Sequence, residues 1–341
     1  MILKKCLEKL IQGQDLDAMT SQHFLHALLA PDVNPLQAGA CLALLRAKPE
    51  TADELMGLVT ALQDNMIPLS TPHKILDIVG TGGDGANTVN ISTGSALLAA
   101  SCGIKVLKHG NRAVSSMAGS ADVLEALGVV IDLTPENIAQ GLDEFNMGFC
   151  FAPNFYPALR QLRLLRQQLN VPTTFNLLGP LLNPGKPAHL ILGVFNEALL
   201  EPMAGTLQKL GTTRSLVVHG GGLDELSCVG VSRVIEVTQT DIKKFKIDPE
   251  KLGLARCNVA DLQGGTAPEN AQLLLDVFSN KHGKKNRAIA DTLILNAGVA
   301  LYLYGLEPSI EAGIEHARSN LLSGAVVKLL DDWSQFSRRH I

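Results

Sequence analysis

The stretch "KILDIVGTGGDGANTVNISTGSALLAASCGIKVL", Lys74–Leu107, decides the predicted fold class of this chain. Its apolar run at 74–79 is strand-like and leads into a loop with four glycines in six residues, 80–85. A run of small residues with helical character follows, stops at Gly103, and gives way to a second strand-like run. Strand, helix and strand joined by short links are typical of a parallel β-α-β unit.

The same alternation extends through most of the remaining sequence. Further strands are predicted at 129–132, 148–152, 189–195, 214–219 and 233–238. Residues 1–70 instead carry only helical signals, and helices are predicted to begin at Thr20 or Ser21, at Asn34-Pro35 and at Thr51. A helix without neighbouring strands is also predicted over 158–169.

We therefore predict an α/β fold in which a mostly parallel central sheet is flanked by helices, with a smaller all-helical domain. The helical domain is assigned to 1–71 and is completed by about 153–187. The α/β domain is assigned to 72–152 and 188–341. A length of 341 residues suits two domains of ordinary size.

Composition excludes several classes of function. A net charge of −4 gives no electrostatic case for a nucleic-acid or membrane partner. The six cysteines are scattered without a C-x-x-C pair, which argues against a structural zinc site and indicates reduced thiols in a cytoplasmic protein. The amino terminus mixes Lys and Glu with apolar residues, unlike a signal peptide, and no window is apolar for long enough to predict a membrane helix.

The loop "GTGGDG", 80–85, fits the dinucleotide-binding pattern G-x-G-x-x-G, but its surroundings do not. Six residues separate it from the helix cap predicted at Ser92 or Thr93, and the second strand runs into Lys108 instead of an acid. Asp84 also places a negative charge in the loop, where it suits a ribose hydroxyl or the water shell of a metal. Backbone amides near a helix N-terminus still favour a phosphate-bearing ligand.

Two further loops carry charged and polar residues after predicted strands. The stretch 108–120, "KHGNRAVSSMAGS", supplies a cation, amide and guanidinium donors, and three hydroxyls: Lys108, Asn111, Arg112, Ser115, Ser116 and Ser120. His109 is interpreted as a loop donor without an acid–base role. The stretch "VVHGGGLDELS" presents the adjacent carboxylates of Asp224 and Glu225, which suit Mg²⁺ shared with substrate phosphates. Parallel strands bring such loops to one edge of the sheet.

These motifs resemble those of the anthranilate phosphoribosyltransferases. The resemblance rests on "DIVGTGGDG" with "NIST", "KHGNR…SS…GSADVLEALG", "TFNLLGPLLNP" and "HGGGLDELS", in the family's order and over nearly the whole chain. It implies transfer of the phosphoribosyl group of 5-phosphoribosyl 1-pyrophosphate to the amine of anthranilate, with release of pyrophosphate, in tryptophan biosynthesis. It also implies two Mg²⁺ per active site and a homodimer formed through the helical domain.

The resemblance assigns roles to particular residues. For phosphoribosyl pyrophosphate these are Gly80, Gly83, Asp84, Thr88, Asn90, Ile91, Ser92, Thr93, Lys108, His109, Gly110, Asn111, Arg112, Ser115, Ser116 and Ser120. The anthranilate contacts are Gly80, Asn111 and Arg166, with Arg166 facing the carboxylate. The catalytic residues are Lys108, Asn111 and Arg166. Ser92 is assigned to one Mg²⁺, and Asp224 with Glu225 to the second.

The sequence departs from the family's usual pattern at Met117, Ala118, Tyr156, Leu164 and Pro172. These differences put acceptor affinity and specificity in doubt more than the phosphoribosyl chemistry.

Two alternative functions remain at this point. A pyrimidine nucleoside phosphorylase shares the fold, although its chemistry has no Mg²⁺-pyrophosphate for Asp224 and Glu225 to hold. A non-catalytic nucleic-acid-binding paralogue is opposed by the net acidity and by Arg166.

Overall fold

The computed structural model of the chain describes residues 2–113 and 117–340. The α-helices are α1 (Ile2–Ile11), α2 (Ala18–Leu28), α3 (Pro35–Ala47), α4 (Ala52–Gln63), α5 (Ile91–Ser101), α6 (Ser120–Ala126), α7 (Pro135–Phe145), α8 (Ala152–Phe155), α9 (Leu159–Leu169), α10 (Phe175–Leu178), α11 (Leu200–Lys209), α12 (Val259–Leu262), α13 (Ala267–Phe278), α14 (Lys284–Tyr304), α15 (Ile310–Leu322) and α16 (Ala325–Arg338). The strands are β1 (Leu76–Gly80), β2 (Val106–Gly110), β3 (Met147–Phe151), β4 (His189–Gly193), β5 (Arg214–Gly220), β6 (Ser232–Thr238) and β7 (Ile242–Ile247).

Local sequence signals set several helix ends. The Asn34 side chain accepts hydrogen bonds from the first amides of α3, and Pro35 occupies the first turn, where its missing N–H costs little. Thr51 and Glu54 form a reciprocal capping box at the start of α4. The predicted start of α2 is wrong, because Asp17 caps that helix in place of Thr20 or Ser21. The Asp17 carboxylate accepts a hydrogen bond from the Thr20 amide at 2.8 Å.

The seven strands form one sheet in the order β3-β2-β1-β4-β5-β6-β7. The first five strands pair in parallel, whereas β6 and β7 are antiparallel additions at one edge. The prediction of a mostly parallel sheet flanked by helices, with a smaller helical part, is therefore confirmed. Strand β7 was not predicted, because three exposed lysines interrupt its alternation of apolar residues. Lysines are common on edge strands, where they discourage pairing with another chain.

The predicted strand at 129–132 is wrong. Val129 and Ile131 are buried in the main apolar core, but the segment does not join the sheet. Its Val130 amide donates instead to the Ser337 hydroxyl of α16 at 2.9 Å. A short apolar run indicates burial more reliably than it indicates a strand.

A second apolar core joins the amino-terminal helices to the segment between β3 and β4. Its members include Phe24 of α2, Leu58 of α4, Leu162 of α9 and Leu178 of α10. The buried Glu50 carboxylate, between α3 and α4, accepts a hydrogen bond from the Thr174 hydroxyl at 3.2 Å. Within the described residues, we find no helix with the length and apolar character needed to cross a membrane.

Candidate active site

The sheet has a switch point between β1 and β4. From β1 the chain continues outward to β2 and β3, then returns to place β4 on the other side of β1. In open α/β sheets, ligands bind in the crevice outside the carboxyl ends of the strands at such a point. The loops that follow β1, β2, β4 and β5 all leave the sheet at this edge.

Asp224 reaches this crevice from the loop after β5. Its backbone crosses β4 so closely that a Cβ on Gly193 would lie 1.6 Å from the Asp224 carbonyl oxygen. Its carboxylate Oδ2 accepts a hydrogen bond from the Gly82 amide, 142 residues earlier in the chain, at 2.6 Å. A Cβ on Gly80 would lie 2.1 Å from the same oxygen. The glycines at the ends of β1 and β4 therefore admit an acid from a distant loop.

Three carboxylates interact electrostatically in the crevice. Burial, followed by the charge of Asp84, raises the pKa of Asp224 from 3.8 to about 7. Burial and the charge of Asp224 raise the pKa of Glu225 well above its usual value, while the Lys108 ammonium opposes that shift. A bound cation would relieve both repulsion and desolvation in such a cluster.

The donor set fits Mg²⁺ shared with a ligand. Asp224, Glu225 and Ser92 offer only oxygen atoms, which are the ligands that Mg²⁺ prefers. In residues 2–113 and 117–340, no three His, Cys, Asp or Glu side chains form a group able to hold a metal ion by themselves. Mg²⁺ keeps several waters and takes further ligands from phosphates, so one or two carboxylates are enough.

Lys108 is buried beneath the crevice, with 1% of its surface exposed. Its Nζ donates to the Ile78 carbonyl at 2.6 Å and to the Ser92 hydroxyl at 3.2 Å. Burial lowers the pKa of this ammonium, and the charges of Asp77, Glu225 and Asp224 oppose the shift. The cation is therefore held between the ends of β1 and α5.

The loop after β1 presents its backbone to the crevice. Gly82, Gly83 and Gly85 have φ angles of +68°, +91° and +69°, which side-chain-bearing residues rarely adopt. The Asp84 carboxylate accepts from the Ala86 amide at 3.1 Å, which closes a local turn. The loop then pairs with a distant segment through a bridge between Thr88 and Gln263.

The loop leads into α5, which begins at Ile91 with Asn90 as its N-cap residue, so the cap lies two or three residues before the predicted Ser92 or Thr93. The Asn90 side chain makes no capping hydrogen bond, whereas the Glu225 carboxylate accepts a hydrogen bond from the Ser92 amide of the first turn. Ile91 and Thr93 are fully buried, so they face the core and not the crevice. The Thr93 hydroxyl has no hydrogen-bond partner among the described residues. These two residues can contribute only backbone amides to a ligand.

The second loop follows β2, and the predicted Ser115 and Ser116 lie outside the described residues. Asn111 is exposed, and its side-chain oxygen accepts from the Arg112 amide at 2.8 Å. The Arg112 guanidinium forms ion pairs with Asp122 and Glu125. The Ser120 hydroxyl lies over Gly110, where a Cβ would come within 2.1 Å of it. The charge of Arg112 is thus already compensated by α6.

His109 turns away from the loop into the core. Its Nδ1 lies 3.2 Å from the Gly179 carbonyl, and its ring packs edge-on against Tyr156. Burial lowers the pKa of His109 to about 4, so the ring is neutral at neutral pH. Tyr156 is also buried, and its hydroxyl donates to the Leu182 carbonyl at 2.6 Å. The motif "TFNLLGPLLNP" thereby supports the end of β2.

Arg166 lies on α9, with its guanidinium 5.3 Å from the centre of the Phe175 ring. It donates to the Asn176 side-chain oxygen at 3.5 Å, and no acidic side chain among the described residues pairs with it. Burial lowers its pKa. A half-buried guanidinium without a carboxylate partner is a suitable receptor for an anionic ligand.

Comparison with known proteins decides the family. A sequence model described as "Glycosyl transferase family, a/b domain" matches residues 72–327, and one described as the helical bundle domain of the same family matches 4–66. The anthranilate phosphoribosyltransferase of Chlamydia felis is 46% identical over 307 residues, which cover 90% of this chain and 88% of that protein.

The chain belongs to the anthranilate phosphoribosyltransferase family.

Solved structures of the family share the whole fold. The crystal structure of the anthranilate phosphoribosyltransferase from Thermus thermophilus is similar with a TM-score of 0.90 and 41% identity, covering 98% of this chain and 99% of that one. The Saccharomyces cerevisiae anthranilate phosphoribosyltransferase in complex with PRPP and Mg is similar with a TM-score of 0.89 and 27% identity, covering 99% and 98%.

Sequence reasoning missed three residues that support the site of this family member. Asp77 is a buried acid in β1, and its Oδ2 accepts from Asn183 at 2.8 Å and from the His109 amide at 3.2 Å. Asp122 Oδ2 accepts from the amides of Ala113 and Gly119, both at 2.9 Å. Asn183 also donates to the Leu107 carbonyl at 2.6 Å. An acid inside an apolar strand run could have drawn attention to Asp77, whereas Asp122 resembles an ordinary helix residue.

Proposed function

We propose that this chain transfers the phosphoribosyl group of 5-phosphoribosyl 1-pyrophosphate to the amine of anthranilate, giving N-(5-phosphoribosyl)anthranilate and pyrophosphate in tryptophan biosynthesis. One observation carries the proposal. Asp224 crosses β4 to bond the glycine loop of β1 at the switch point of the sheet, next to Glu225 and the buried Lys108. This combination suits a ligand that brings both phosphates and Mg²⁺. The family membership of the chain supports the same reaction.

We assign two Mg²⁺ to each active site, one with Ser92 among its ligands and one with Asp224 and Glu225. The oxygen-only donors and the repulsion among the buried acids support this assignment. When bound, the metal would supply positive charge to the departing pyrophosphate. The backbone of the loop after β1, with Gly80, Gly83, Asp84, Thr88 and Asn90, and the N-terminus of α5 would surround the phosphoribosyl pyrophosphate.

Lys108 contributes to loss of the leaving group. Its ammonium is held in place before substrate arrives, by the Ile78 carbonyl and the Ser92 hydroxyl. A preorganised cation in a buried site costs no reorganisation while negative charge develops on the pyrophosphate. As the bond to C1 breaks, C1 gains oxocarbenium character, as in glycosyl transfer generally.

Arg166 and Asn111 would position the acceptor. The guanidinium is half-buried beside Phe175 and can form a paired hydrogen-bond fork with the anthranilate carboxylate. The aromatic amine is already a usable nucleophile, so positioning replaces a strong general base. His109 would not serve as that base in this arrangement, because its ring lies against Gly179 and Tyr156.

A turnover assay tests the reaction. The protein is mixed with anthranilate, phosphoribosyl pyrophosphate and Mg²⁺, and the loss of anthranilate fluorescence is compared with the release of pyrophosphate. We expect equal amounts of the two. Absence of turnover together with cleavage of thymidine or uridine by phosphate would overturn the proposal in favour of a nucleoside phosphorylase.

A paired substitution tests the metal assignment. Asp224→Asn with Glu225→Gln should abolish Mg²⁺-dependent turnover, because the amides cannot replace the two negative charges. Asp331→Asn with Asp332→Asn is a matched control, since these adjacent acids lie on α16, where Asp332 pairs with Lys328, and neither is assigned to the site. A double variant at 224 and 225 that keeps its turnover would remove these residues from the metal site.

The acceptor assignment is tested on α9. Arg166→Ala should raise the KM for anthranilate far more than the KM for phosphoribosyl pyrophosphate. Arg160→Ala, an exposed change on the same helix, should leave both constants unchanged. Equal effects on the two substrates at Arg166 would contradict the assigned role.

We also propose a homodimer formed through the helical domain. The apolar side chains of Ile11, Met19 and Leu36 are 66%, 67% and 83% exposed on the amino-terminal helices, which supports burial against a second copy. Light scattering should show a dimer, and Leu36→Glu should shift it toward a monomer. A wild-type monomer at working concentration would refute this part of the proposal.

The domain limits and the location of the protein are part of the same proposal. We assign 1–71 with about 153–187 to the helical domain and 72–152 with 188–341 to the α/β domain. Contacts of α9 with α3 and of α10 with α4 support the first assignment. A cytoplasmic location is supported by six free thiols. Hydrogen exchange and cell fractionation, respectively, test these two assignments.

A further inference from the structure

The end of the loop after β1 forms hydrogen bonds with a segment far along the chain. The Val89 amide donates to the Leu262 carbonyl at 2.9 Å, and the Gly264 amide donates to the Asn87 carbonyl at 2.8 Å. The helix that follows this segment, α13, also contacts α6, which begins where the second loop ends. One distant element therefore adjoins both loops.

Asn270 of α13 makes the most direct of these connections. It is a buried amide, 2% exposed, whose oxygen accepts from the Gly265 amide at 2.7 Å. Its Nδ2 donates to the Asn90 side-chain oxygen at 2.8 Å. The Asn90 Nδ2 in turn donates to the Ala118 carbonyl of the second loop at 3.1 Å. Three hydrogen bonds thus run from Gly265 through two amides to the second loop.

This chain of bonds explains an unusual feature of α5. Asn90 is the N-cap residue, and asparagine in that position normally accepts a hydrogen bond from the first turn of its own helix. Here its oxygen accepts from Asn270, and the Asn90 side chain makes no capping bond to α5. Asn90 therefore does not occupy the first amides of the helix; the Ser92 amide donates to the Glu225 carboxylate, and the helix dipole favours negative charge at this end.

The packing leaves Asn270 little freedom to release Asn90. A Cβ on Gly264 would lie 2.4 Å from the Asn270 oxygen and 2.9 Å from the Val89 Cα. The amide is therefore enclosed between the turn at 264–265 and the loop it supports. Both of its polar atoms have partners, so its orientation is fixed.

We propose that Asn270 is a positioning residue for the phosphoribosyl pyrophosphate site. Its amide turns Asn90 away from the N-terminus of α5, so that Asn90 does not cap the amides that a phosphate group would approach, and it fixes the spacing of that helix end from the second loop. The inference rests on the proposed function and deepens it. Asn270 touches no reacting atom and acts through Asn90.

Substitution of Asn270 tests this role by its selectivity. Asn270→Ala should raise the KM for phosphoribosyl pyrophosphate by about tenfold, the equivalent of one buried hydrogen bond, and change the KM for anthranilate less than about twofold. Gln272→Ala is the control on the same helix, because its side chain is exposed and bonds Asp276. An unchanged KM for phosphoribosyl pyrophosphate in folded Asn270→Ala would overturn the inference.

A double-mutant cycle separates positioning from a general structural effect. If Asn270 acts through Asn90, the variant carrying both Asn90→Ala and Asn270→Ala should lose no more affinity than Asn90→Ala alone. Additive losses would overturn the inference. If Asn270→Ala does not fold, Asn270→Asp replaces it in the cycle, because the ionised carboxylate can accept from Gly265 but cannot donate to Asn90.

Calorimetric titration with inorganic pyrophosphate and Mg²⁺ gives a readout without turnover. Asn270→Ala should bind pyrophosphate about tenfold more weakly than the wild type. A wild-type protein without turnover would refute the proposed function, whereas this titration would still test the positioning of the loops. Equal pyrophosphate affinity in wild type and variant would refute the positioning alone.

Discussion

Gly80→Ala tests the central feature of the site, which is the approach of Asp224 to the end of β1. The added Cβ would lie 2.1 Å from the Asp224 Oδ2 and 2.8 Å from both its Cγ and its carbonyl oxygen. Ordinary contacts begin at 3.4 Å, so relief along the shortest line requires the carboxylate oxygen to retreat by 3.4 − 2.1, or about 1.3 Å. The 2.6 Å bond to the Gly82 amide would be lost in that movement.

A displacement of this size is large for a side chain that is proposed to bind a metal. A shift of about 1 Å in a positioning group can lower a rate by about 100-fold, which corresponds to about 2.7 kcal/mol of transition-state stabilisation. We therefore expect kcat/KM for phosphoribosyl pyrophosphate to fall by about 100-fold and the Mg²⁺ concentration for half-maximal rate to rise. Both are measured from anthranilate fluorescence over a series of Mg²⁺ concentrations.

Gly230→Ala is the matched control, since the nearest atom to its added Cβ would be the Arg256 Nη1 at an ordinary 3.5 Å. Its Mg²⁺ dependence should equal that of the wild type. Circular dichroism and thermal melting show whether Gly80→Ala is folded. A folded Gly80→Ala protein with wild-type rate and Mg²⁺ dependence would refute the argument that Asp224 must stand against the end of β1.

Three further predictions concern stability and charge. Burial lowers the pKa of His189 to about 4, below the unfolded value of about 6.5, so the free energy of unfolding should fall by up to about 3 kcal/mol as pH falls through that window. In urea titrations, His189→Gln should lose less of its free energy of unfolding between pH 6.5 and 4 than the wild type does. An equal loss in the two proteins would contradict this cause. Thr51→Ala should lower the free energy of unfolding by about 1 kcal/mol through loss of the α4 cap, whereas Thr60→Ala within the helix should have a smaller effect in the same urea titration. Lys108→Met should lower turnover by at least about 100-fold, because the ammonium is lost, and normal turnover would exclude a role for it. The same change should lower the free energy of unfolding by about 3 kcal/mol, because it leaves the buried Asp77 without its nearby cation.

Features encoded over a few residues could be predicted from the sequence. Helices were predicted to begin at Asn34-Pro35 and at Thr51, and both predictions were confirmed, because each of these caps finds its hydrogen-bond partners within one helical turn. The glycine loop also depends on local backbone geometry. The prediction was wrong at 129–132, where the residues are buried without forming a strand. It missed β7, because exposed lysines interrupt the apolar pattern of that strand.

The candidate site was only partly predictable, because its supports connect distant parts of the chain. Adjacent acids after a glycine turn indicated a metal-binding role for Asp224, but the crossing over Gly193 depends on the strand order around β4. The amide of Asn270 meets that of Asn90 across 180 residues. A single sequence offers no periodicity or spacing that pairs two such amides.

The same long-range connections explain why the loops can be glycine-rich and still hold a defined geometry. Glycines lose more conformational entropy on folding than other residues, so a loop with four of them would be poorly ordered if it depended on local bonds alone. Here Asp224 binds its beginning through Gly82, and the 262–265 segment binds its end through Val89. The glycines leave the backbone of the loop open to the proposed phosphate ligand, and partners elsewhere in the chain give the loop its rigidity. Substitutions in the 262–265 segment, which is assigned no contact with the ligand, should therefore still weaken phosphate binding.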